Sequence, residues 1–196
     1  MRWIAVVIGL LAAASAYDPV AAADPITLDQ IMTAIRSVHH VQARYVERRT
    51  LHILKAPIET RGTLTFDAPD RLTKAADPTA SGPGERVVMD SDHLTVDSGN
   101  GRPITIGMND HPEVTALATS LRATLAGDGA ALEKVFEVTV SGTLDHWQMV
   151  LQPRDPAARR LLQWVRVIGF GERITEIDTA NGEGDRSEMN VVEQGR

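Results

Sequence analysis

The sequence predicts an α+β fold: one strongly curved antiparallel sheet of about ten strands, with helices packed on its concave face. Three observations carry this. Strand-like segments come in two consecutive runs with a helical segment wedged between them, whereas parallel α/β folds alternate strand and helix. Turns dense in Gly, Pro, Asn and Asp join the strands, so sequence neighbours pair antiparallel. The strands mix apolar with charged residues, the composition of a sheet with one apolar and one wetted face.

The 196-residue chain opens with Met1-Arg2, an apolar run from Trp3 to Ala16, and small residues at Ala21-Ala22-Ala23. That order is a secretory signal peptide, with cleavage expected after Ala23 and a second small-residue site at Ala14-Ser15-Ala16. The apolar run falls short of the roughly 20 residues of a membrane span. Residues 24–196 then form a single domain of about 170 residues. Cysteine is absent, which excludes disulfides and a lipid-modified N-terminus. The net charge is −6. An acidic chain gains no counterion-release term from nucleic acid and is repelled by anionic membrane surfaces, so neither is an expected partner.

Thr27 caps a short amphipathic helix in which Leu28, Ile31, Met32, Ile35 and Val38 recur at helical spacing, with Gln30 completing a capping box. The helix is expected to end near His39-His40, where His suits the negative terminus. A long strand from Val41 follows, then a turn at Ala56-Pro57 and a second strand in which Gly62 marks a bulge or close approach. Glu47, Arg48 and Arg49 read as a solvated strand face. Arg44 or Arg48 has the alternative of turning inward to bond a helix terminus. After the turn at Asp67 to Asp70 come strands at Arg71–Ala76, Glu85–Met89, Leu94–Val96 and Pro103–Ile106. The loop from Asp77 to Gly84 and the turns at Asp90-Ser91-Asp92 and Ser98 to Gly101 separate them.

Character changes at Asn109. Val114, Leu117, Ala118, Leu121 and Leu125 fall at the spacing of one helix face, and Gly127 stops that helix. A further turn at Ala130 to Lys134 leads to a hairpin of Phe136–Val140 and Trp147–Leu151. Asp155 caps a short helix with Pro156 at its first position, and strands at Trp164–Ile168, Arg173–Thr179 and Arg186–Val192 finish the chain.

Catalytic signatures are lacking: no Gly-x-Ser-x-Gly elbow, no Cys nucleophile, no phosphate loop. His111-Pro112-Glu113 matches a zinc-deaminase fragment without its Cys ligands. Ser91-Asp92-His93 is a triad in letters only, since adjacent residues cannot form the relay. No metal or cofactor is expected. What remains is apolar. Leu117, Leu121 and Leu125 face a sheet supplying Tyr45, Leu64, Phe66, Val87, Met89, Leu94, Val96, Ile104, Ile106, Trp147 and Met149. Aromatics are only 4% of the chain, and an aliphatic lining with flexible Met suits acyl chains. Composition alone leaves filled core and open cavity both standing.

The order of motifs resembles a known family. Leu54-x-x-Pro57-Ile58-x-x-x-Gly62-x-Leu64-x-Phe66 and Pro69-x-Arg71-Leu72 are followed by Leu125-Ala126-Gly127-Asp128 and Leu132-x-x-x-Phe136. Trp147-x-Met149-x-Leu151-x-Pro153 and Gly184-Asp185-x-Ser187-x-Met189 complete the series. Together they are similar to the LolA family of outer-membrane lipoprotein carriers, and closer to a LolA-related branch than to the authentic carrier. Where the carrier has Phe-x-Gln, this chain has Tyr45-x-Glu47. The resemblance implies an incomplete β-barrel with a helical lid over a cavity for acyl chains. It also implies a monomeric periplasmic shuttle between an inner-membrane donor and an outer-membrane acceptor, with no catalysis. A lipid-linked polyene or glycolipid cargo is a rival to lipoproteins. A structural or sensing domain of the same fold, with a protein partner, is the alternative of another class. In the family a strand Arg ties lid to barrel; Arg44, Arg48, Arg49 and Arg61 compete for that role here.

Overall fold

The computed structural model describes residues 25–80, 82–90, 92–107 and 123–193. Helix α1 (Leu28–Arg36) opens with the expected capping box: the Thr27 side chain accepts from Gln30 N–H, and the Gln30 side chain accepts from Thr27 N–H. Its apolar stripe buries Ile31, Met32 and Ile35. The helix stops earlier than expected, because pairing of the first strand already includes His40, opposite Asp67. The His40 ring sits 2.6 Å from the Asp67 carboxylate, so it serves a strand pair and not a helix end.

Six strands follow: β1 (His40–Thr50), β2 (Ile58–Asp67), β3 (Arg71–Ala76), β4 (Arg86–Met89), β5 (His93–Asp97) and β6 (Ile104–Gly107). After α2 (Gly129–Val135) come β7 (Phe136–Thr143) and β8 (His146–Pro153), then α3 (Ala158–Leu161). Strands β9 (Trp164–Phe170), β10 (Arg173–Ala180) and β11 (Arg186–Glu193) complete the chain. Two boundaries depart from the sequence expectation. The segment expected as a turn near Ala130 is a helix capped by Asp128. The Asp155 carboxylate accepts from Ala157 N–H, but α3 begins at Ala158 with Ala157 as its N-cap, so Asp155 does not cap it and Pro156 lies outside it.

All eleven strands form one antiparallel sheet in the order β6-β5-β4-β3-β2-β1-β11-β10-β9-β8-β7. The first six strands step outward from β1 to one edge, and the last five step inward from the other edge until β11 pairs with β1. The first and last strands therefore meet mid-sheet, while, among the described residues, β6 and β7 are the edges of an open sheet.

Side chains alternate across the faces with period two. Register places Glu47, Met189, Ile177, Val167, Met149 and Val140 in one row across six strands. A second row on the same face runs Val41, Phe66, Leu72, Met89, Leu94, Ile106. This single apolar face meets two fates. Over β7, β8 and β9 it is covered: Ile31, Met32 and Ile35 of α1 and Leu132 of α2 pack with Phe136, Trp147, Met149, Leu151 and Val167. Over β2 to β5 the described buried apolar side chains on this face are Phe66 and Met89, the latter with Leu72 and Leu94 beside it.

Each half of the sheet carries an aromatic ring lying across a glycine of the neighbouring strand. A Cβ on Gly62 would come within 2.7 Å of the Tyr45 ring and 2.1 Å of Ala75 C=O. On Gly169 it would come within 2.1 Å of Trp147, whose indole N–H donates to Gly171 C=O at 2.9 Å. Gly62 is thus a close approach with unbroken register, not a bulge. The bulge lies elsewhere, in β10 between Ile174 and Glu176.

Candidate functional site

The part of the apolar face that the described helices do not seal borders a cavity of about 310 Å³. Its walls are built from the alternation of five strands on one side: Val41 and Ala43 of β1, Leu64 and Phe66 of β2, Leu72 and Lys74 of β3, Val87 and Met89 of β4, and Leu94 of β5. Met189 and Val191 of β11 and Ile177 of β10 extend the wall past the strand that joins the two halves. Ile174 lines it too, although three positions from Ile177 would normally put it on the opposite face; the β10 bulge restores it. Ile35, Val38 and Leu125 contribute from outside the sheet. Fifteen of the seventeen described lining residues are apolar, the exceptions being Lys74 and Glu172.

Of the residues expected on the wall, Leu64, Phe66, Val87, Met89, Leu94 and Leu125 line the cavity. Tyr45 is fully buried on the same face but is not among the lining residues. Trp147 and Met149 are corrections: both have zero exposure inside the core cluster, because α1 and α2 cover their half of the sheet. Val96, Ile104 and Ile106 also fall outside the lining, since β5 and β6 carry the face on to the sheet edge, where Ile104 is 64% exposed. Leu117 and Leu121, with His111 and the rest of the middle helix up to residue 122, lie outside the described residues; residues 123–125 are helical.

Several lining residues carried a readable signal that pointed only to structure. Ile35 and Val38 sit on the apolar stripe of the first helix, and Leu72 and Lys74 alternate in a short strand. Ile177, Met189 and Val191 could join the wall only through the β1–β11 pairing, which bridges opposite ends of the sequence.

The polar end of the face overturns one expectation. Glu47 is 5% exposed, not solvated. Its carboxylate accepts from Lys74 Nζ at 2.5 Å, Ser187 Oγ at 2.7 Å and Thr60 Oγ1 at 3.3 Å. Burial pushes the carboxyl up, but the hydrogen bonds from Lys74 and Ser187, with the charge of Lys74, outweigh it and hold Glu47 below its ordinary range. Lys74 Nζ also lies 5.3 Å from the centre of the Tyr45 ring, in cation–π range. The Tyr45 hydroxyl is buried without a hydrogen-bond partner among the described residues, and desolvation, then the charges of Glu47, Asp77 and Glu85, push its pKa up to about 12.

Neither Arg44 nor Arg48 is placed at a helix terminus by a described contact. Arg44 forms a two-pronged pair with Asp77 and bonds Thr63, tying β1 and β2 to the loop after β3. Other arginines do reach helix ends: Arg36 of α1 donates to Gly127 C=O at 2.6 Å, and Arg154 donates to Glu133 C=O in the last turn of α2 at 2.9 Å. Gly127 has φ +67, the left-handed conformation common after a helix C-terminus. At the surface, His52, Glu183 and Asp185 bring ligand-type atoms within 4.8 Å of one another. His52 and Asn181 already bond the Asp185 carboxylate, so the group reads as a tie between the β1–β2 and β10–β11 turns.

Residues 20–192 match the family model described as outer membrane lipoprotein carrier protein LolA-like. The chain belongs to the LolA-like family. No curated protein matches it in a sequence search. Among solved structures, a LolA superfamily protein from Nitrosomonas europaea aligns over 85% of this chain and 91% of its own, at 12% identity and TM-score 0.42. An uncharacterised conserved protein from Thermus thermophilus aligns over 86% and 84%, at 9% identity and TM-score 0.49. LprF from Mycobacterium bovis aligns over 84% and 89%, at 11% identity and TM-score 0.33. Among the described residues, no helix of this LolA-like chain is long and apolar enough to cross a membrane.

Proposed function

We propose that this protein is an exported periplasmic carrier that shelters acyl chains of lipoproteins or other lipids in the cavity and passes them toward the outer membrane, without covalent chemistry. The observation that carries the reading is the apolar cavity itself. A sheet face that elsewhere is sealed by helices here borders open space of about 310 Å³, within the range of small-molecule sites. Each CH₂ moved from water to such a wall gains about 0.8 kcal/mol, enough to hold a chain that must still be released. Membership of the LolA-like family supports the same cargo class. The segment 1–23 serves as the export signal, and the mature chain begins at Asp24.

The test is uptake of a fluorescent fatty-acid ester by the mature protein, with Val87→Glu as the control. Val87 is half-buried and lines the cavity, so a carboxylate there abolishes uptake through its desolvation penalty while near-UV circular dichroism keeps its native form. Equal uptake by both proteins would contradict the reading.

A further inference from the structure

Among the described residues of the cavity wall, Lys74 is the sole cation. An ammonium carries three N–H donors, and Lys74 places one on Glu47 Oε2. Its position is over-determined. Glu47 is held by Ser187 and Thr60, and the Tyr45 ring lies beneath the ammonium, with Gly62 leaving room for that ring. A fixed donor group with unspent N–H bonds at the rim of an apolar wall is a device for orienting a ligand's polar atom, as ligand cavities commonly show.

The charge balance then selects the kind of atom. Lys74 is already neutralised by Glu47. A ligand carboxylate entering here gains little Coulomb attraction and must shed its hydration. A neutral carbonyl oxygen sheds far less and still receives a charge-assisted hydrogen bond. We propose that Lys74 is a specificity residue that donates to the ester or amide carbonyl of a bound acyl chain, so that the cavity selects esterified or amidated chains over free fatty acids. The proposal rests on the carrier reading above and names the chemistry of its cargo.

The experiment is displacement of a neutral apolar fluorophore, N-phenyl-1-naphthylamine, from the mature protein by three ligands of matched length at pH 7.5. These are methyl dodecanoate, dodecanoate and tridecane. The ester competes about tenfold better than the hydrocarbon, the factor expected of one hydrogen bond from a charged donor, and better than the acid. In the double variant K74M/E47Q, which removes the pair together and strands no charge, the ester's advantage over the hydrocarbon falls to about twofold or less. A purely structural Lys74–Glu47 pair would leave that ratio unmoved. Ester and hydrocarbon competing equally in the wild type, acid competing better than ester, or an advantage that survives in the double variant each overturns the assignment of Lys74 alone. Failure of all three ligands overturns the carrier reading with it. The wild-type comparison needs no variant and decides the matter even if K74M/E47Q does not fold.

Discussion

At the scale of the residue, Glu47 and Tyr45 hold most of the unusual chemistry. The Glu47 carboxyl is held below its ordinary value by Lys74 and Ser187, so its charged form stabilises the fold at any pH above that ordinary value of 4.5. The contribution is lost as pH falls through the lower folded value. Asp77, Asp90 and Asp185 are shifted the same way, by Arg44, by the backbone N–H groups of Asp92 and His93, and by His52. Thermal unfolding between pH 3 and 7 should therefore show a declining acid limb that is shallower, but still present, in Glu47→Gln; an unchanged limb would remove Glu47 from this account. Tyr45 has the opposite sign. Its folded pKa of about 12 lies above the ordinary 10.0, so the protein loses stability as pH rises from 10 toward 12. Its hydroxyl is buried without a partner among the described residues, and Tyr45→Phe removes that penalty while keeping the ring under Lys74. The variant should gain roughly 1 kcal/mol in denaturant unfolding at pH 7, and a loss would show that the hydroxyl finds a partner in solution.

At the scale of the element, the fold was read with most success where a local signal sufficed. The capping box at Thr27 and Gln30, the strand at Arg71–Ala76 and the pairing of Phe136–Val140 with Trp147–Leu151 are all written in neighbouring residues, although that hairpin turns at Leu144-Asp145, with Ser141 and Gly142 still inside the strand. Replacing Thr27 with Ala should cost about 1 kcal/mol in chemical unfolding, since it removes the side-chain oxygen that accepts from Gln30 N–H. Gly62→Ala and Gly169→Ala should each cost about 1–3 kcal/mol, because the added methyl meets Ala75 C=O and the Trp147 ring at 2.1 Å. The reading failed where contacts join distant segments. Glu47 looked solvated because its partners Lys74 and Ser187 lie 27 and 140 residues away. Trp147 and Met149 share a face with the cavity residues, and only the placement of α1 and α2 over β7–β9 decides that they are core. Ile174 reached the wall through a bulge that no residue type announces.

At the scale of the whole molecule, the topology explains why one face can be core and cavity together. Two meanders meet at β1 and β11, each bringing its own stretch of apolar face, and the described helices α1 and α2 seal only the second meander. The first meander turns its apolar face to the cavity. A carrier requires that division, because a fully sealed face cannot admit a chain and a fully open one cannot stay in water. The central claim is that this space is filled by lipid in the cell. Mass spectrometry of organic extracts from mature protein purified from the periplasm tests it most directly. The account predicts a co-purifying acylated lipid near one per protein, and its marked loss in Val87→Glu; an extract free of lipid, from protein that also takes up no acyl ester, would contradict it.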